Sequence, residues 1–475
     1  MKIPQLLIDS LQNVKGFHEE AFIKVHEQSV SPTSIRLNPF KPIEKWMNGD
    51  MSPSQQERDS GADEPTGEVV SQVPWCEKGR YLETRPKFTF DPLLHAGAYY
   101  VQEASSMFLE TVLKQTVDLT KDLKVLDLCA APGGKSTLIN SLLTPESLLV
   151  SNEVIRSRAN ILSDNLTRWG TMNTVVTNND PKDFARLTGF FDVLVIDAPC
   201  SGSGLFRKDP EAIKEWSLDN VTMCSLRQKR IIGDVWASLK DGGTLIYSTC
   251  SYSQAENEDI VDWICEEFGA TSLTINVANP DLQAGLNGTA SLTQNSFRFY
   301  PDQIKGEGFF IAAFKKQNPE KETFIRSGKP IKNNSRRTER EIFRTWVDDI
   351  DNFTWFDKNE DYFLINPEHE HTIRLLQSNL YLRKAGVKMG KIAGKDLIPD
   401  HELALSLYLS ENIVRRELSR DEAISYLRRD EFTLEQAQKG WSLMTFENLG
   451  LGWAKILPNR INNYYPKELR ILSRV

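Results

Sequence analysis

Between Asp118 and Lys316 short apolar runs alternate with longer amphipathic stretches, and no other feature restricts the fold of this chain as strongly. The runs are VLDL (125–128), SLLVSNEV (147–154), TVVTNND (174–180), FDVLVIDAP (191–199), GGTLIYSTC (242–250) and GFFIAAFKK (308–316). Helix-like segments lie between them, such as Arg156 to Trp169 and Asn220 to Leu239. Strand-sized runs joined by helix-sized connections call for crossovers, and crossovers produce parallel pairing. The pattern therefore predicts an α/β fold with a doubly wound, mostly parallel sheet whose ligands sit beyond the carboxyl ends of its strands.

The first strand end carries the most specific motif, VLDLCAAPGGKST: a strand, a small-residue turn and a helix start. Such a turn lets backbone N–H groups and a helix amino terminus come close to a ligand. Its ending suggests a phosphate-binding loop, but that pattern needs a glycine where Cys129 stands, and GxGxxG is missing too. Cys129, Ala130, Ala131, Pro132, Gly133, Gly134 and Lys135 are thus expected to face a less anionic cofactor. Glu153, about 20 residues after the glycines, is placed to take ribose hydroxyls. Asp180, at the end of the third strand, can accept an adenine amine, and Asp197, at the end of the fourth, lies beside the reaction centre. Each acid taken singly reads first as a helix cap or surface residue. Lys135 is either near the ligand or solvated.

The 475 residues exceed one ordinary core, and no apolar stretch approaches the roughly 20 residues that span a bilayer. MKIPQLLIDSLQ, with Pro and Asp inside, does not read as a secretion signal, so the expected location is the cytoplasm. The six cysteines include no CxxC pair and read as thiols, with no metal site expected. A formal charge of -8 disfavours binding a polyanion over the whole surface, so contacts to nucleic acid must be local. Lys315 to Arg344 carries ten Lys or Arg against four Glu and is a candidate linker or phosphate-contacting face. Arg156, Arg158, Arg227, Lys229 and Arg230 flank the expected cleft, as RNA contacts or as ordinary surface charge. Asn48 to Gln72 reads as a solvated loop.

LCAAPGGKS, DAPCSGSG and YSTCSYSQAENE together resemble the S-adenosylmethionine-dependent RNA (cytosine-5)-methyltransferases of the Sun family, with SIRLNPFK, YYVQEASSM and GEGFFIA as further matching pieces. The tail, through LYLRKAGVKMGKIAGKDLIPD and LGWAKILPNRINNYYPKELRI, is similar to bacterial members acting on small-subunit (16S) ribosomal RNA, with a carboxyl-terminal PUA-like region. The resemblance implies a seven-stranded class I methyltransferase sheet with a small N-terminal domain and mixed α/β C-terminal domains. The expected divisions are 1–92 (RNA-binding-like), 93–318 (methyltransferase), 319–395 (linker and small α/β subdomain) and 396–475 (PUA-like). It also implies S-adenosyl-L-methionine as cofactor and RNA as partner, possibly within the small ribosomal subunit; the chain is expected to be a monomer.

Cytosine carbon 5 is a weak nucleophile, and addition of a thiolate to carbon 6 makes it enamine-like. Two cysteines stand at strand ends. Pro199-Cys200 alone would suggest Cys200 as nucleophile; the resemblance assigns attack to Cys250 and leaves Cys200 to assist release, with a role as base for the carbon-5 proton. Asp197, protonated or sharing a proton with N3 of the base, would stabilise charge during addition. Cys76, Cys224 and Cys265 read as small buried hydrophobes. The Ser-Gly-Ser-Gly run after Cys200 reads as room for a flipped cytosine. Transfer RNA as substrate, a non-catalytic RNA-binding assembly factor and a phosphate-loop nucleotide binder remain as rivals.

Overall fold

The computed structural model describes residues 3–28, 31–43, 69–276, 291–293, 295–317, 337–431 and 438–473. Helices Gln5–Leu11 and Glu19–Gln28 lead into β1 (Thr33–Leu37), which pairs antiparallel with β3 (Gly79–Leu82) and β4 (Tyr99–Val101), while β2 (Val69–Gln72) closes the other edge. β2 corrects the reading of Asn48 to Gln72 as loop throughout: its last four residues pair with β3, and residues 48–68 lie outside the described residues. An edge strand with mostly exposed side chains needs only backbone partners, so polar composition does not betray it.

The central sheet contains β5 (Lys124–Asp127), β6 (Leu148–Asn152), β7 (Thr174–Thr177), β8 (Phe191–Asp197) and β9 (Leu239–Thr249), all parallel. β10 (Thr271–Ser272), β11 (Ser291–Thr293), β12 (Ser296–Phe299) and β13 (Phe309–Lys315) extend it antiparallel beyond β9. β14 (Thr354–Lys358) and β15 (Asp361–Ile365) begin a smaller sheet, β16 (Leu382–Ala385) returns to pair with β7, and β17 (Val387–Ala393) and β18 (Asp396–Pro399) complete the smaller one. The expected sheet is therefore present as the run β7-β6-β5-β8-β9-β13-β12, and β16, β11 and β10 make it ten strands rather than seven. Every apolar run named from sequence forms one of its strands. Their inward residues are fully buried, as expected where helices such as Arg156–Trp169 and Leu218–Val235 cover the sheet.

β19 (Arg415–Glu417), β20 (Gly440–Phe446), β21 (Leu449–Leu457) and β22 (Arg460–Asn463) form the last sheet, whose core is shared with the N-terminal one: Ile35, Leu82 and Leu93 pack with Tyr426, Met444 and Tyr465. A buried cation ties together three helices beside this junction. Lys41 is buried and donates to Ala96 O (2.9 Å), Arg168 O (2.7 Å) and Leu405 O (2.7 Å), at the ends of three helices, where carbonyls lack intrahelical partners. Burial lowers the Lys41 pKa to about 7. Among the described residues no helix is long and apolar enough to cross a membrane.

Candidate active site

Parallel pairing brings the ends of β5, β6, β8 and β9 to one edge. After β5 the chain turns through Cys129 to Gly133 into the helix Gly134–Asn140. Gly133 has φ +115°, a conformation open mainly to glycine, and a Cβ on Gly134 would stand 3.2 Å from the Tyr100 ring. The loop and β4 wall a cleft of about 190 Å³, with Lys135 and Asp197 at one side and Tyr100 to Glu103 at the other. Arg36 of β1 holds the loop from behind: Nε donates to Gln102 Oε1 (2.8 Å) and Nη2 to Thr137 Oγ1 (2.6 Å) and Gly134 O (3.3 Å).

The acids of this edge do different things. Asp127 Oδ2 accepts from Ser136 Oγ (2.6 Å), whereas its buried Oδ1 has no hydrogen-bond partner among the described residues. Burial above all, with Asp197 and Glu153 adding to it against the Ser136 bond, raises the Asp127 pKa to about 7. Glu153, also buried, accepts from Ile155 N (2.9 Å) and from Arg158 Nη1 (3.1 Å). Asp197 accepts from Lys135 Nζ (2.8 Å) and Ser248 Oγ (2.8 Å). Burial opposes the Lys135 charge, but Asp197 and Asp127 outweigh it and keep its pKa above the ordinary lysine value. Lys135 is therefore a largely shielded ion-pair partner and not a solvated charge. Asp180 lies three residues beyond the end of β7, where it caps a short helix by accepting from Lys182 N (3.2 Å) and stands 3.6 Å from Arg230.

Cys200, after β8, and Cys250, after β9, are half-buried with their Sγ atoms 3.1 Å apart. The hydrogen bond to Cys250 first, and burial second, push the Cys200 pKa well up, so Cys200 holds a proton that it can share with Cys250 Sγ. The ammonium of Lys135 is within electrostatic reach of Cys250. The two loops are fastened together. Gly204 N donates to Cys250 O (2.7 Å), and a Cβ at Gly204 would stand 2.5 Å from that oxygen and 2.6 Å from Gly308 O. Glu256 accepts from Ser201 N (2.7 Å), Ser201 Oγ (2.6 Å) and Ser251 Oγ (2.5 Å). At Gly204 protein backbone thus fills the space that a base would need, whereas a Cβ at Gly202 would meet nothing within 4 Å.

The sequence-predicted residues Cys129 to Lys135, Glu153, Asp197, Cys200 and Cys250 gather at this edge, with Asp180 at its periphery. Burial, and the charges of Asp127, Asp197 and Glu153, push the Cys129 pKa up, so it stays a neutral thiol in the loop. Several expected RNA contacts also have partners within the protein: Arg158 in Glu153 and Ala131 O (2.8 Å), Arg230 in Asp234 (3.2 Å), and Lys229 in the Trp263 ring (5.5 Å). Arg156 and Arg227 are exposed. Of the basic tract, residues 318–336 lie outside the described residues; Lys316 is buried against Leu239 O (2.9 Å), and Arg340 and Arg344 pair with Asp351. Of the three remaining cysteines, Cys76 and Cys224 are buried and Cys265 half-buried. Sequence reasoning missed Asp127 and Glu256, for which the signals were a charge inside the apolar VLDL and the acids of QAENE.

An unpartnered buried carboxylate oxygen, two further carboxylates near it and a loop backbone uncovered by side chains fit a cationic ligand that carries hydroxyls. They do not fit a phosphate, which would meet like charge. S-adenosylmethionine, with its sulfonium and ammonium, meets this description.

Comparison with known proteins gives the same picture. A family model described as 16S rRNA methyltransferase RsmB/F matches residues 114–315; models of the N-terminal domain of 16S rRNA methyltransferase RsmF and of the methyltransferase RsmF PUA domain match 3–104 and 414–471. Ribosomal RNA small subunit methyltransferase F of Shigella boydii serotype 18 is 30% identical over 424 residues, which are 85% of this chain and 86% of the relative. The same-named protein of Aeromonas salmonicida is 31% identical over 423 residues, 86% of each chain. Among solved structures, NSun6 from Pyrococcus horikoshii with SFG superposes with a TM-score of 0.52 at 20% identity, over 66% of this chain and 99% of that one, a likeness of fold.

Proposed function

The chain belongs to the 16S rRNA methyltransferase RsmB/F family and is an S-adenosylmethionine-dependent RNA methyltransferase, and from that premise we propose that it methylates carbon 5 of a cytosine in small-subunit ribosomal RNA through a covalent cysteine adduct. The observation that carries the cytosine chemistry is the pair of thiols 3.1 Å apart at two adjacent strand ends. The names of the relatives support the ribosomal substrate.

When bound, S-adenosylmethionine supplies a methyl group on a sulfonium. Cys129 to Lys135 and Glu153 would hold it, with Asp127 facing its positive charge and Asp180 at the adenine end. The base must leave its stack to reach the cysteines. Cys250 Sγ, as thiolate, would bond to carbon 6, shifting the carbon 5–carbon 6 π pair to carbon 5, which would bond the methyl group while the pair of the broken methyl–sulfur bond stays on the sulfur. Cys200 and Lys135 favour that thiolate, the first by donating its S–H and the second by charge. Asp197, fixed by Lys135 and Ser248, is set to meet the polar edge of the base.

The second half of the reaction uses the same pair in reverse. Once Cys250 is bonded to carbon its negative charge is gone, and with it the main cause that keeps the proton on Cys200. Cys200 then releases that proton to solvent water and, as thiolate, takes the one on carbon 5. The electrons of the broken C–H bond restore the double bond, and the S–C6 bond breaks to return the Cys250 thiolate.

Cys250→Ala is expected to lower methyl transfer by about 10⁴-fold or more, and Cys200→Ala to leave a covalent protein–RNA band on a denaturing gel. An adduct in Cys250→Ala but not in Cys200→Ala reverses the two roles. Bisulfite mapping of RNA from cells with and without the protein checks the substrate. Loss of a 5-methylcytosine from small-subunit ribosomal RNA is expected; a loss confined to transfer RNA, or none, refutes that assignment.

A further inference from the structure

Cys200 and Cys250 belong to loops some fifty residues apart in sequence, and sharing one proton requires their sulfurs to stay at one separation. The two loops are not equally self-supporting. Around Cys250, Thr249 Oγ1 donates to Asn257 Oδ1 (2.6 Å), Ser251 N donates to Thr249 Oγ1 (3.2 Å), and Asn257 Nδ2 donates to Ser251 O (2.8 Å). These bonds close the loop on itself. Next to Cys200, by contrast, Ser201 N and Ser201 Oγ both reach out to the other loop, each donating to Glu256, with Ser251 Oγ 3.3 Å from the Ser201 hydroxyl.

Glu256 is fully buried, and four donors meet it. Oε1 accepts from Ser201 N (2.7 Å) and Gln228 Nε2 (3.4 Å); Oε2 accepts from Ser201 Oγ (2.6 Å) and Ser251 Oγ (2.5 Å). Gln228 in turn donates to Pro199 O (3.1 Å), on the other side of Cys200. Glu256 therefore touches the residue after each cysteine and, through Gln228, the residue before Cys200.

We propose that Glu256 is a positioning residue that sets the Cys200 loop against the Cys250 loop, so that its loss impairs resolution of the adduct by Cys200 more than attack by Cys250. This rests on the assignment of roles to the two cysteines above. The asymmetry follows from the bonds: two of the four hold Ser201 directly and a third acts through Gln228, whereas Ser251 keeps its ties to Thr249, Asn257 and the Ser253 N–H, which donates to Ser251 Oγ (3.1 Å), without Glu256. The Glu256 charge also contributes to keeping Cys200 protonated, but behind the hydrogen bond to Cys250 and burial. Geometry, and not charge, is thus the larger part of its effect. A glutamine at 256 keeps an acceptor for Ser201 N, and its amide can donate to serine hydroxyls that turn to accept, so it preserves the clamp without the charge.

The test compares wild type, Glu256→Ala, Glu256→Gln and Cys200→Ala in single turnovers with RNA and labelled cofactor, reading formation and decay of the covalent adduct separately. Glu256→Ala is expected to slow decay by about tenfold to 10²-fold, the range that misplacement by about 1 Å brings, with formation slowed less than about threefold. Glu256→Gln is expected to restore decay to within about threefold of wild type, since it keeps the hydrogen bonds. A second readout needs no RNA: in the free protein, alkylation of Cys200 by iodoacetamide, followed by mass spectrometry, should rise about tenfold in Glu256→Ala and change less at Cys250, because a freed loop exposes its thiol. Should Glu256→Ala not fold, Ser201→Ala removes one of the four bonds and is expected to shift both readouts the same way to a smaller extent.

Equal slowing of formation and decay, a glutamine variant as defective as the alanine one, or unchanged alkylation of Cys200 overturns the proposal. If Cys200→Ala traps no adduct, the cysteine roles are wrong, and the alkylation pattern still decides whether Glu256 holds the loop.

Discussion

The strand-end edge is built in two ways. On the cofactor side, around β5 and β6, a buried carboxylate oxygen of Asp127 is left without a partner, and the loop that covers it exposes backbone where side chains would intrude. On the cysteine side, around β8 and β9, both oxygens of Glu256 meet two donors each, and the backbones of the two loops touch at Gly204. A buried charge without a partner is costly until something of opposite sign arrives. A buried carboxylate whose two oxygens both have donors costs less and fixes distances in advance. The first arrangement suits a cationic ligand that comes and goes; the second suits two thiols that must keep one separation through a reaction.

The largest effect is therefore expected where the pre-set side is wedged apart. Gly204→Ala places a Cβ 2.5 Å from Cys250 O and 2.6 Å from Gly308 O, both backbone atoms that cannot swing away. Adduct formation in single turnovers should fall by about 10²-fold, with cofactor affinity unchanged within about threefold, because the loops must separate by a fraction of an ångström or more. Near-normal adduct formation would show that the cysteine side is not rigid, and the contrast between the halves would fail.

The cofactor side should reveal itself through pH. The Asp127 carboxyl titrates at about 7 when folded against an ordinary 3.8, so the folded protein holds a proton that the unfolded chain has lost across that window. Stability of the cofactor-free protein should then fall as pH rises from about 4 to 7, by an amount on the order of a few kcal/mol, and the penalty is complete above about 7. The sign is opposite to that of a salt-bridged aspartate. A cationic ligand relieves the penalty, so affinity for S-adenosylmethionine should rise about tenfold from pH 6 to 8, with a smaller rise for S-adenosylhomocysteine, which lacks the sulfonium charge. Asp127→Asn should flatten both profiles in thermal-shift and calorimetric measurements. A wild-type affinity that does not change with pH would show that Asp127 does not face the ligand's charge.

The halves also differ in how much of them the sequence discloses. The glycine loop, the strands and both cysteines were legible because each is a local pattern: an apolar run, then a turn, then one chemical group. Asp127 was passed over because it sits inside such a run, where a polar residue reads as an interruption. Glu256 was passed over for another reason. Its partners at Ser201 are 55 residues away, and nothing near QAENE signals a connection to DAPCSGSG. The same holds for β16, which joins β7 from about 200 residues downstream, and for Lys41, whose three acceptors come from distant helices. Chemistry at strand ends is written locally, while the bonds that align it are written in tertiary structure.

The smallest effect is expected at Asp180, the acid placed from sequence at the adenine end. It stands a third exposed, spends Oδ1 on the Lys182 backbone, and has Arg230 at 3.6 Å. An exposed carboxylate of this kind contributes little, since water competes for it and salt screens it. Asp180→Asn, which keeps an acceptor for the cap, should raise the KM for S-adenosylmethionine by less than about threefold with kcat unchanged, and Asp180→Ala by about threefold to tenfold, the worth of one hydrogen bond. Steady-state kinetics at two ionic strengths check this. An effect of Asp180→Asn as large as that of Asp127→Asn would mean that cofactor recognition is spread evenly over the acids of the edge, and the buried, unpartnered oxygen of Asp127 would lose its special place in the contrast between the two halves.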